Sequence, residues 1–153
     1  MNRISVFTIF VILLLHLSCS PDPGFNLNIA PPPDSAWPED IYPAETDGIK
    51  PYTYTPEYGG TVAVYDKKGK IYVARMKDQN EATSFFKEEI LPDLSKMAAC
   101  YTGNINGYFY ASSVNKDSCC FGWINKRYIF MLTASDKNSL KKLADYFKYI
   151  EVK

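Results

Sequence analysis

Nine of the ten prolines in this 153-residue chain fall between residues 21 and 56, and only Pro92 lies later. Proline lacks a backbone donor and fixes φ, so residues 21–58 are barred from forming a regular helix or a central strand. The chain therefore divides near residue 58. The segment before it should be extended and partly polyproline-like, a spacer rather than a fold. Charge follows the same division. The 21–58 segment holds one lysine against seven acidic residues, whereas residues 59–153 hold fifteen basic and ten acidic ones. The overall balance of 17 against 17 hides an acidic spacer and a mildly basic domain, and argues against a nucleic-acid binder.

The spacer is not purely solvated in character. Trp37, Ile41, Tyr42, Ile49, Tyr52, Tyr54 and Tyr58 are many large apolar groups for a free linker. The chain from about residue 37 is expected to drape over the domain and bury these rings. A docking strip for an envelope protein is the competing reading.

Ahead of the prolines, Ile4 to Leu15 reads ISVFTIFVILLL after the single positive charge of Arg3. A spanning helix needs about 20 apolar residues, so this shorter run fits the hydrophobic region of an export signal. Leu17-Ser18-Cys19 resembles the end of a bacterial lipoprotein signal. Residues 1–18 would then be removed, and Cys19 would be the first mature residue and the site of lipid attachment, palmitate included. His16 and Leu17 depart from the usual spacing. Ordinary cleavage after Ser20, giving a soluble secreted protein, is the alternative.

Residues 59–153 read as an α+β domain. Thr61 to Asp66 and Lys70 to Met76 have strand composition and flank a Gly-containing turn, a hairpin pattern. Over 79–98, Ala82, Phe85, Phe86, Ile90, Leu94, Met97 and Ala98 recur at helical spacing, with Asp78 as N-cap and Pro92 as an interruption. Strand-like runs follow at Ile105 to Val114, Cys119 to Ile124 and Arg127 to Ala134, with a tight turn at Asn125-Lys126. Asp136 caps a last helix whose stripe is Leu140, Leu143, Ala144, Phe147 and Ile150. The order β-β-α-β-β-β-α predicts a two-layer sandwich, an antiparallel sheet of about five strands with both helices on one face, ferredoxin-like or related.

Removal of the signal also removes His16, the one histidine. Ser-His-Asp and Cys-His catalysis and histidine-ligated metals go with it. No G-x-x-x-x-G-K-[ST] and no G-x-G-x-x-G is present. Neighbouring carboxylates, Glu39-Asp40 and Glu88-Glu89, lack the spacing of a glycosidase pair. The chain is therefore expected to be no enzyme and to need no cofactor or metal.

An exported location permits disulfides. Cys119 and Cys120 are adjacent in a strand and point to opposite faces, so one of them can pair with Cys100, and which one stays open. The strands are also rich in rings. Tyr65, Tyr72, Tyr108, Tyr110 and Tyr128 are expected to form a partner surface if one sheet face is left uncovered, because tyrosine offers an apolar body with a polar tip.

Signal, spacer and small domain together resemble small bacterial cell-envelope lipoproteins carrying an uncharacterised exported α+β domain. Tyr58-Gly59-Gly60, the Val62/Val64/Tyr65 strand, Ala82 with Phe86, and Gly122-Trp123 with Arg127-Tyr128 and Phe130 are similar to such domains. The resemblance implies no activity and no catalytic residues. It leads to a lipid-anchored, non-enzymatic partner-binding or accessory module on the exported side of the envelope, with an envelope protein or a glycan as partner and no nucleic acid. A small-ligand carrier or sensor is the alternative.

Overall fold

A computed structural model describes residues 23–96 and 99–153. Cys19 and the whole of the expected signal lie outside the described residues, as do Met97 and Ala98 of the expected helix stripe.

The centre of the fold is a seven-stranded sheet in which every neighbouring pair is antiparallel. Its strands are β2 (Tyr52–Tyr54), β3 (Thr61–Val64), β4 (Lys70–Arg75), β5 (Ala99–Ile105), β6 (Tyr108–Val114), β7 (Cys119–Asn125) and β8 (Tyr128–Ala134). They lie in the order β2-β3-β4-β8-β7-β6-β5. Two further short strands, β1 (Phe25–Asn26) and β9 (Glu151–Val152), pair with each other and bring the two ends of the described chain together.

The predicted hairpin over 61–76 is present as β3 and β4. The expected strand over 105–114 is instead a hairpin. Residues 99–104, which lay between the expected helix over 79–98 and that strand, join Ile105 in β5, and the chain turns back at Asn106-Gly107 into β6. Both turn residues sit at positive φ, 50° and 87°, as a primed two-residue turn demands. That dipeptide is a strong hairpin signal, and the helical period running into residue 98 obscured it.

The first helix begins where Asp78 accepts the Glu81 backbone N–H at 2.9 Å. The Glu81 carboxylate accepts the Lys77 N–H at 2.5 Å, one residue before the position a capping box uses. The helix runs as α1 (Gln79–Phe85), widens into a π turn over Phe86–Ile90, and resumes as α2 (Leu91–Ser95). The widening sits immediately before Pro92, where an α turn would press the ring on the preceding carbonyl. The last helix, α3 (Lys137–Ala144), starts on Asp136, whose carboxylate accepts the N–H groups of Asn138 and Ser139.

The two helices lie on opposite faces of the sheet, which corrects the predicted two-layer sandwich with helices on one face. Alternation along β4 shows it directly. Ile71 and Val73 pack with Leu140, Leu143 and Phe147 of the last helix region. Tyr72 and Ala74 pack with Ala82, Phe86, Ile90 and Leu94 of the first. The sheet also has more strands than the five expected, because β2 and β5 were hidden in the proline-rich segment and the residues after the helix.

The extra strands and the strap that precedes them correct a second expectation. Residues 23–58 are not a free spacer. Phe25, Leu27 and Ile41 are fully part of the core shared with α3. The hydroxyl of Tyr65 donates to the Pro43 carbonyl at 2.5 Å. That of Tyr128 donates to the carbonyls of Pro33 and Ala36 at 2.7 and 2.9 Å. The Asn125 amide donates to the Ile29 carbonyl at 3.1 Å. Prolines suit such a strap, since its few hydrogen bonds use carbonyls that proline retains. The draping expected from residue 37 thus begins earlier, at residue 23. It buries Ile41 but leaves Trp37, Tyr52, Tyr54 and Tyr58 exposed.

Candidate functional site

The tyrosines singled out as a partner surface are mostly inside. Tyr65, Tyr72, Tyr110 and Tyr128 are buried, and Tyr108 is half-buried. They also divide between the two faces, Tyr72 under the first helix and the other four on the side of α3. Their surface role fails because both sheet faces are covered. Three of them act as struts instead, each hydroxyl reaching a backbone carbonyl, with Tyr72 donating to Gly59 at 3.2 Å. Burial raises the pKa of Tyr65, Tyr72 and Tyr128, with desolvation of the phenolate the leading cause in each.

The cysteines are likewise not a bridge. Cys100 pairs in register with Ser113, and Ser113 with Cys120, so the two cysteines stand two strands apart on one face. Two strand spacings come to about 10 Å, beyond the Cα separation a disulfide spans. Cys119 faces the opposite core. All three thiols are free. Burial pushes the Cys120 thiol up to about 12 and that of Cys119 up from its ordinary value, the state of inert structural thiols. Among the described residues no group of three or more His, Cys, Asp or Glu side chains could hold a metal ion.

Most of the aromatic groups left outside, Trp37, Tyr52, Tyr54 and Tyr58, lie in the segment the prolines marked; Tyr101 and Tyr146 are the others among the described residues. At one end of β4, the 3-10 turn Pro38–Asp40 holds Trp37 with 61% of its surface exposed. The Trp37 backbone N–H donates to the Asp40 carboxylate at 3.2 Å. Arg75, the last residue of β4, lays its guanidinium 4.6 Å from the centre of the Trp37 ring. Its Nη2 donates to the Asp34 carbonyl at 2.7 Å. The Arg75 Nε is buried and has no hydrogen-bond partner among the described residues. The arginine is therefore clamped by the strap while one donor remains unspent.

These groups form one wall of an open cleft of about 500 Å³. The opposite wall is Tyr58 and Phe85. Tyr58 meets Tyr72 edge-on at 5.7 Å between ring centres and Phe85 at 6.3 Å. Glu39 and Glu81 also line it, and Glu39 accepts the Thr61 hydroxyl at 3.5 Å. Gly59 and Gly60 form its floor at positive φ. A Cβ on Gly60 would meet the Tyr72 ring at 2.6 Å, so only glycine lets the chain pass over that ring. The cleft thus offers exposed ring surface, carboxylate acceptors and an arginine donor. That set has the chemistry to take polar molecules with apolar faces.

Other hollows are smaller. One of about 340 Å³ lies between the β3–β4 turn and α3, lined by Lys67, Lys142 and Asp145, with Lys68 paired to Asp47 and the Tyr146 hydroxyl donating to that same carboxylate. A third, of about 120 Å³, lies beside Pro23 and Phe25.

No protein-family model and no curated protein matches the sequence. Among solved structures, a crystal structure of a GTP binding regulator from Thermotoga maritima is similar in fold, with a TM-score of 0.54 and 12% identity, over 80% of this chain and 94% of that one. At that identity the likeness bears on the fold alone. No helix among the described residues is long and apolar enough to cross a membrane.

Proposed function

We propose that the chain is a lipid-anchored, non-enzymatic module of the bacterial cell envelope, attached through Cys19, and that its Trp37–Tyr58–Arg75 cleft takes a glycan partner. The observation that carries the reading is the exposed Trp37 ring, held from behind by Arg75 and flanked by Glu39 and Glu81. A sugar ring presents an apolar C–H face for stacking and a rim of hydroxyls for carboxylates and arginine. The cleft volume lies in the range of ordinary ligand sites. The anchor rests on Leu17-Ser18-Cys19 following the apolar run. The GTP binding regulator shares the fold, but this sequence has no G-x-x-x-x-G-K-[ST] loop to carry a nucleotide reading.

The test is titration of the protein with soluble peptidoglycan fragments and N-acetylglucosamine oligomers, read by calorimetry and by tryptophan emission, in which the buried Trp123 is a constant background. Trp37→Ala should weaken binding by about tenfold or more, as loss of a central aromatic contact does, with an unchanged melting temperature because the ring is exposed. Equal binding by Trp37→Ala and the native chain would remove the cleft from the reading.

A protein partner is the second reading. β2 is the outermost strand of the sheet and carries exposed Tyr52 and Tyr54, so a partner strand could add to its open edge. Crosslinking from membranes would recover that partner through Tyr52 and Tyr54 rather than through Trp37.

A further inference from the structure

The strap changes what an anchor at Cys19 would do. A spacer over 19–58 would let the domain roam far from its lipid. Because residue 23 is already part of the fold, at most four peptide steps separate Cys19 from it at Pro23. Fully extended they reach about 14 Å. Whatever surface surrounds Pro23 is thereby held against the headgroups.

That surface lies at one corner of the sheet. Pro23 shares a hollow with Tyr101 of β5, Val114 of β6 and Lys137 at the start of α3. Tyr101 and Val114 are 44% and 45% exposed. They stand on one face, since Tyr101 pairs with Ser112, two residues from Val114. Lys137 is exposed, and the Lys141 ammonium lies beside Gly24, about 3.1 Å from where a Cβ on that glycine would stand. Lys116 follows in the β6–β7 turn. Acidic groups accompany them: Asp117 in that turn, Asp22 one residue before Pro23 in sequence, and Asp136, whose carboxylate is occupied by the Asn138 and Ser139 N–H groups and the hydroxyls of Ser135 and Ser139.

We propose that this corner rests on an anionic phospholipid surface, with Tyr101 and Val114 at the headgroup level and Lys137 and Lys141 against the lipid charge, so that the cleft points away from the bilayer. The inference rests on the lipid-anchor reading above. Two features carry it: the short chain that ends at this corner, and a pair of exposed apolar groups rimmed by lysines, the composition that binds anionic interfaces. The orientation follows from register. Val114, Cys119 and Ala134 form the row at the Pro23 end, whereas Asn125, Tyr128 and Arg75 form the row at the cleft end. Six residues of β8 separate the rows, about 20 Å of strand.

The experiment uses the full chain isolated from membranes, with its intact mass determined, and reconstituted in vesicles of phosphatidylethanolamine and phosphatidylglycerol containing brominated acyl chains. The indole introduced by Tyr101→Trp should add emission that the bromines quench, while the native chain, whose indoles are Trp37 and the buried Trp123, keeps its own. Replacing both Lys137 and Lys141 by Gln should shift the docked fraction by roughly 25-fold, from about fivefold per lysine at an anionic surface, and phosphatidylcholine vesicles should mimic that loss. An acylated protein whose Tyr101→Trp indole stays bright overturns the docking and leaves the anchor standing. Quenching in the native chain that disappears in Trp37→Phe overturns the orientation. A mass without acyl chains removes the anchor and this inference with it.

Discussion

Arg75 and Gly69 show how single residues fix the fold's tolerances. The Arg75 guanidinium lies over the Trp37 ring, 4.6 Å from its centre, with one donor held by the Asp34 carbonyl. A lysine there would keep the charge but lose the planar group and the fork of donors. Gly69 closes the β3–β4 turn at φ 138°, where an added Cβ would stand 2.4 Å from the Thr133 carbonyl oxygen. Backbone cannot swing aside as a side chain can. Gly69→Ala should therefore lower unfolding stability by about 3 kcal/mol or more. Gly48, also at positive φ, has nothing within 4 Å of its would-be Cβ. Gly48→Ala meets only the left-handed backbone penalty, about 1–2 kcal/mol. Urea denaturation of the two variants checks the order, and equal losses would show that φ alone sets the effect.

At the scale of elements, the first helix depends on its start. Asp78 accepts the Glu81 N–H, and the π turn before Pro92 leaves few regular turns downstream to compensate. Asp78→Ala should cost about 1 kcal/mol and raise amide exchange over 79–85 before other regions, read by hydrogen–deuterium exchange. Elements were legible in proportion to how local their signals are. The caps at Asp78 and Asp136, the stripe Ala82–Phe86–Ile90–Leu94 and the hairpin over 61–76 rest on neighbours within a few residues, and they stand as expected. β2 and β5 are set by long-range pairing, and their composition argued for other states. The side of the sheet each helix covers is likewise a tertiary choice that two similar stripes do not reveal. For the same reason the buried tyrosines looked like a surface. Their apolar bodies fit a core as well as an interface, and only the strap carbonyls decide which. The exposed rings of the cleft lay in the segment whose prolines spoke for a spacer.

For the whole molecule, the strap is as much a part of the core as any strand. Phe25, Leu27 and Ile41 are each worth about 1.5–3 kcal/mol of burial, together comparable to the whole stability of a domain this size, about 5–15 kcal/mol. A chain shortened to residues 59–153 should lack a cooperative melting transition, and one shortened to residues 23–153 should keep it. Circular dichroism on heating distinguishes them. Buried acids set a second limit. The Cys120 thiol, ordinarily near 9.0, is held up to about 12, and Tyr65 and Tyr72 are raised above 10.0. In that window the folded chain retains protons that the unfolded chain releases, so stability falls as pH rises from about 9 toward 12 and is unaffected by these groups below it. Denaturation midpoints measured across that range should decline, most steeply above pH 10.

The β1–β9 pair, finally, has a meaning in time. The Asn26 amide bonds the Glu151 carboxylate across 125 residues of sequence, and the Lys153 N–H closes on the Gly24 carbonyl. The strand that enters first finds its partner only when the last residues arrive. A chain emerging N-terminus first from a ribosome or a translocation channel cannot make this pair until residues 151–153 have followed, and contacts of such long separation form slowly. Until then the strap's first strand lacks its partner, and the pairing that ties the strap to the far side of the fold is the last to close.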